Sequence, residues 1–91
     1  MIDVEQLLET ARQKKDRAAV QAFQSLQERM FRAMSIPGPE KGRPRTEKEI
    51  IALIHEEIRD RQDTNEFIAP TQASYADNQY IIKLLSRLVP R

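Results

Sequence analysis

The sequence predicts an all-α protein, a small bundle of about four helices. Three observations lead there. Apolar residues recur at three- and four-residue steps in four separate stretches, which is the spacing of one helical face. No stretch alternates apolar and polar residues over strand length with enrichment in β-formers. The 2 glycines and 5 prolines fall between or after those stretches and never inside them.

The first segment runs from Ile2 to about Lys15, with Val4, Leu7, Leu8 and Ala11 on one face. Asp3 is placed to cap it, and Gln6 stands where a capping box needs its second member. Arg12, Lys14 and Lys15 crowd its last turn, where cations meet the negative end of the helix dipole. Asp16 reads as the next N-cap. A long helix follows from Arg17 to about Met34, carrying Val20, Phe23, Leu26 or Gln27, Met30 and Met34, with Ala19, Ala22, Phe31 and Ala33 widening the face. Core packing is the expected fate of Met30, Phe31 and Met34, with adaptable binding as the other use of such a cluster.

Ile36-Pro37-Gly38-Pro39 ends that helix, because proline lacks the amide donor and restricts the residue before it. Residues 35–45 read as a loop with a basic second half. Thr46 then opens the third helix: Thr46 and Glu49 have the S/T-x-x-E spacing of a capping box, worth about 1 kcal/mol. Ile50, Ile51, Leu53, Ile54 and Ile58 make its buried face, and Glu57 with Arg61 reads as an i,i+4 pair on the surface. This helix should fade near Phe67, Ile68 and Ala69, ahead of Pro70. Phe67 and Ile68 either plug the end of the bundle or serve a partner. The last segment runs from about Ser74, its expected cap, to Leu88, with Tyr75, Ile81, Ile82, Leu84, Leu85 and Leu88 on its apolar face.

Composition narrows the function. The chain has 91 residues, enough for one domain over 1–91, and hydrophobic residues make up 40% against 32% charged, a balance that suits a folded helical chain. It has no cysteine, so disulfides and thiolate chemistry are excluded. No apolar run reaches the roughly 18 residues of a membrane span, and the N-terminus lacks a signal-peptide pattern, so a cytoplasmic protein without membrane partners is expected. Fifteen basic residues face fourteen acidic ones, and a dedicated nucleic-acid binder is usually more basic. Two basic clusters stand out: Arg12, Lys14, Lys15 and Arg17, then Lys41, Arg43 and Arg45. Either could meet phosphates, against the plainer reading as solvated surface.

Residue chemistry points away from catalysis. His55 is the only histidine, and His55-Glu56-Glu57 opens like a zinc-protease motif, but Arg59 stands where the second histidine belongs. Glu56 and Asp60 lie four apart beside Arg59 and Arg61, as on a polar face. There is no P-loop, nucleophile elbow or Gly-x-Gly-x-x-Gly, and so no catalytic, cofactor or metal residue to name.

The junction Lys14-Lys15-Asp16-Arg17, the helix Thr46-Glu47-Lys48-Glu49-Ile50-Ile51-Ala52-Leu53-Ile54-His55-Glu56-Glu57-Ile58-Arg59-Asp60-Arg61, and Leu88-Val89-Pro90 resemble the GatB/YqeY family, in its N-terminal helical domain. Gln24 stands where arginine is common in that family, and Leu88 where tyrosine is. The family's smaller C-terminal domain has no counterpart in these residues. The resemblance implies a non-catalytic accessory of tRNA-dependent amidotransferase or translation, acting through tRNA or protein contacts. On electrostatic grounds, Lys41, Arg43, Arg45, Arg59 and Arg61 are the candidate contact residues. A structural or regulatory module that forms a homodimer is the alternative, and an amidotransferase-type carbon–nitrogen ligase a poorer one. Leu88-Val89-Pro90-Arg91 also matches what thrombin leaves on cutting a tag linker, in which case those residues fall outside the fold.

Overall fold

The computed structural model describes residues 2–34 and 46–90, and their side chains except those of Ala33 and Met34. The 35–45 loop, with Lys41, Arg43 and Arg45, lies outside the described residues. Among the described residues there are four α-helices and no strand: α1 (Val4–Gln13), α2 (Arg17–Met34), α3 (Glu47–Asn65) and α4 (Ala73–Ser86). The fold is the all-α bundle that the periodicity predicts.

Local chemistry sets the ends of these helices. The Asp3 carboxylate accepts from the Gln6 amide at 3.0 Å and caps α1. The expected return bond from Gln6 is not made, and its side chain donates to Thr10 at 3.5 Å instead. At the other end the Lys15 N–H bonds the Arg12 carbonyl and the Asp16 N–H reaches back to Ala11, both at 3.0 Å. That is a Schellman termination, and it forces Lys15 to φ 57°, the left-handed region that glycine normally occupies. Asp16 is then at once the last residue of this motif and the N-cap of α2. Its Oδ1 accepts from the Ala19 amide at 3.1 Å, and its carbonyl accepts from Val20 at 2.9 Å. Both halves of the capping box on α3 are present, Glu49 N–H to Thr46 Oγ1 and Thr46 N–H to Glu49 Oε1, each at 3.2 Å.

α4 departs from expectation at its start. It begins at Ala73 with Gln72 as N-cap, no side chain capping it, and Ser74 sits inside the first turn. The Gln72 N–H closes a turn onto the Ala69 carbonyl, and Tyr75 bonds back to Gln72, so the chain enters the helix before Ser74 is reached. α3 likewise ends at Asn65, two residues short of Phe67.

The core draws on every helix: Val4, Leu8 and Ala11 from α1; Ala19, Ala22, Phe23 and Leu26 from α2; Ile50, Ile54 and Ile58 from α3; Ile81 and Leu85 from α4. On α2 these positions follow i, i+3, i+4, i+7, and Met30 extends the stripe, half-buried against the core. Phe31, one residue on, is rotated off that stripe and is 70% exposed, which corrects its expected place in the core. Leu88 and Val89 pack, half-buried, on the core. α1 packs on α2, α3 pairs with α4, and α2 touches both members of that pair; among the described helices α1 meets no other.

Two end effects are measurable. Lys15→Gly should raise stability by about 0.5 kcal/mol, since glycine escapes the side-chain clash of the left-handed region but loses more freedom on folding. Thr46→Ala should lower stability by ~1 kcal/mol. Urea unfolding midpoints of the two variants, moving in opposite directions from wild type, check both.

Candidate functional site

A hydrogen-bonded cluster of polar side chains lies where α2, α3 and α4 meet. It is centred on Glu57, whose side chain is only 3% exposed. Glu57 sits seven residues after Ile50 and three after Ile54, on the core stripe of α3, so helix geometry carries it inward with the isoleucines. The surface position expected for the Glu57–Arg61 pair is therefore corrected, although the pair itself forms.

A carboxylate brought inside must find donors or cost several kcal/mol. Glu57 has three. Its Oε2 accepts from Ser25 Oγ and from Arg29 Nε, each at 2.9 Å, both from α2. Its Oε1 accepts from Arg61 Nε at 3.1 Å, one turn further along α3. Arg29 continues outward: its Nη2 donates to Asp60, and its Nη1 lies 4.0 Å from Glu56. Burial pulls the Arg29 guanidinium towards losing its proton, but the Asp60 hydrogen bond and the charges of Glu57 and Asp60 outweigh it and hold its pKa above the ordinary value. Glu56 and Asp60 thus serve as outer partners of Arg29 on the polar face foreseen for them.

Arg61 carries the network to α4. Its Nη1 donates to Asn78 Oδ1 at 2.9 Å, Asn78 Nδ2 donates to Asn65 Oδ1 at 2.9 Å, and Asn65 Nδ2 donates to the Tyr75 carbonyl at 3.3 Å. Asn78 and Asn65 are both buried. A polar chain therefore runs from Ser25 to the backbone of α4, each link filling a hydrogen-bonding site that burial would otherwise leave empty.

A second tie lies at the junction of α1 and α2. The Tyr80 hydroxyl of α4 donates to Asp16 Oδ2, the oxygen that α2 capping leaves over. The Asp16 bond, then desolvation, then the Asp16 charge raise the Tyr80 pKa, and Arg87 opposes the rise. The Tyr80 ring itself is 45% exposed.

The two described candidate contact residues, Arg59 and Arg61, differ in role. Arg61 is 17% exposed and committed to Glu57 and Asn78. Arg59 is exposed on α3. Lys41, Arg43 and Arg45 lie outside the described residues. His55 is exposed on α3, and among the described residues no three His, Cys, Asp or Glu side chains gather where they could hold a metal ion. Among the described residues no helix is long and apolar enough to cross a membrane. Sequence reasoning missed Ser25, Arg29, Asn65 and Asn78. Asn78 had a readable signal, because it precedes Ile81 by three and Leu85 by seven, in register with the core.

No protein-family model matches this chain, and no curated protein or solved structure matches it significantly either.

Glu57→Gln removes the charge that Arg29 and Arg61 share and should cost about 1.5–3 kcal/mol, since Arg29 keeps Asp60 and Glu56 and Arg61 keeps Asn78. Urea unfolding followed by circular dichroism measures it, and a cost under 1 kcal/mol would contradict the network's role. Tyr80 gives a pH signature. Folding favours its protonated phenol, so its contribution is complete below about pH 10 and is lost as pH rises through the higher folded value. Wild type should lose more stability than Tyr80→Phe as pH rises above 10, read as unfolding midpoints across that window.

Proposed function

We propose that this chain is a cytoplasmic helical adaptor without catalytic chemistry of its own, similar to the N-terminal helical domain of the GatB/YqeY family, and that it docks on a protein of the tRNA-amidation or translation machinery. The observation that supports this best is the exposure of aromatic residues. Of the 3 phenylalanines, Phe23 is in the core, while Phe31 is 70% and Phe67 85% exposed. Phe67 stands on the turn after α3, held there by its own N–H bonding the Thr64 carbonyl at 3.0 Å. Phe31 borders an open groove of about 670 Å³ on the outer face of α2, with Gln24, Gln27, Glu28 and Arg32.

Covering one such ring stabilises a complex by about 1.5–3 kcal/mol, and aromatic anchors of this kind dominate protein interfaces. The polar side chains argue the same way from the other side. The carboxylate best placed for acid–base work, Glu57, has its oxygens engaged by Ser25, Arg29 and Arg61.

Titration of purified tRNA-dependent amidotransferase into this protein, followed by calorimetry, tests the reading. Binding that weakens about 10- to 100-fold in Phe67→Ser or Phe31→Ser is the expected result. No binding would remove the link to amidation. A doubled mass by light scattering, lost in the same variants, would assign the two rings to a homodimer.

A further inference from the structure

The structure brings together two basic segments that are far apart in the chain. Lys14, Lys15 and Arg17 flank Asp16 at the joint between α1 and α2, and all three are exposed. Tyr80 of α4 bonds to that same Asp16, across 64 residues of sequence. Lys83, three residues after Tyr80 on α4, and Arg87, the residue that caps the end of α4, are both exposed. The Arg87 charge is close enough to bear on the Tyr80 phenol. Five exposed cations thus lie on the two segments that the Asp16–Tyr80 bond joins.

Asp16 and Asp77 offset only part of this positive charge. Asp16 is enclosed by its own bonds, with one oxygen on the Ala19 amide and the other on the Tyr80 hydroxyl. Asp77, one turn before Tyr80, is half-buried. The patch is net positive on a chain whose total charge is only +1.

We propose that this face binds a single-stranded polynucleotide, with a base stacked on Tyr80 and phosphates held by Lys14, Lys15, Arg17, Lys83 and Arg87. The pairing of ring and cations selects this ligand. A π-face accepts any base, and cations on both sides of it follow the backbone as the strand passes. An acidic peptide has no use for the ring, and an anionic bilayer wants exposed apolar side chains to insert, whereas Leu84, one turn from Tyr80, is packed against the core. The Asp16 bond fixes the hydroxyl end of Tyr80, so the ring is oriented before a base arrives and less freedom is lost on binding. This site is separate from the phenylalanines proposed to meet protein.

The test is fluorescence anisotropy with a labelled oligouridylate of about 12 nucleotides, at roughly 50 and 200 mM salt. With up to five phosphate contacts, affinity should fall on the order of 100-fold between the two salts. The paired change Lys83→Ala with Arg87→Ala should weaken binding at low salt and cut the salt effect to about 20-fold. Tyr80→Ala should lose about 10-fold or more, while Tyr80→Phe, which keeps the ring but gives up the Asp16 bond that orients it, should lose less. Circular dichroism confirms that each variant is folded. No binding at low salt overturns the proposal. So does binding that these changes leave intact, which would place the strand elsewhere, or equal binding to phosphatidylserine vesicles with no loss in Tyr80→Ala, which would make the face a membrane contact.

Discussion

Three of the four described helices, α2, α3 and α4, are arranged around a buried carboxylate. Glu57 lies on the stripe of α3 that isoleucines otherwise fill, and it is stable there because α2 and α3 together supply three donors. A hydrophobic residue at that place would tolerate rotation or sliding of α2 against α3. A carboxylate with directional partners does not, because a shift of one residue leaves a charge without a donor. The polar chain that leaves Glu57 through Arg61, Asn78 and Asn65 extends the same constraint to α4. Packing of simple apolar side chains supplies cohesion, and the network selects one alignment of three helices.

This division of labour suits a core of modest size. Its apolar members are largely alanine, leucine, isoleucine and valine, with Phe23 as the one fully enclosed aromatic among the described residues. Such side chains fill space with little directional preference, so several helix alignments would bury similar area. Alanines at positions 19 and 22 let α2 approach its neighbours closely, which places Ser25 and Arg29 within reach of α3. The polar and apolar parts of the interface therefore depend on one another.

Much of this was legible in the residues, and the parts that were not share a cause. Helix positions follow from short-range rules: three- and four-residue steps, a Thr46–Glu49 box and prolines kept outside. The structure agrees with them to within a few residues. The end of α3 shifts at Asn65, where a tertiary contact intervenes because the side chain turns to α4, and the start of α4 shifts at Ser74, which the preceding local turn bypasses. Glu57 was misplaced because a charged residue on a core stripe looks like a surface residue unless its partners are known. Those partners come from Ser25 and Arg29, about thirty residues earlier in the chain, and no local pattern connects them. The meeting of Asp16 with Tyr80 was hidden for the same reason. The candidate cations were read by charge alone, which cannot tell Arg61, engaged between helices, from Arg59, open to solvent.

The attachment of α1 to α2 alone, among the described helices, has a consequence for how the molecule opens. Detaching α1 would sacrifice Val4, Leu8 and Ala11 from the core and would leave every link of the Glu57 network, the α2 cap and the Asp16–Tyr80 tie in place. Partial unfolding should therefore begin there, as a fluctuation distinct from global unfolding. Amide hydrogens of α1 would exchange with solvent ahead of those in α3 and α4, and a protease would cut α1 ahead of α3 and α4. The Schellman joint at Lys15 sets the boundary of that unit, so the bundle would consist of a three-helix body with a more readily released first helix.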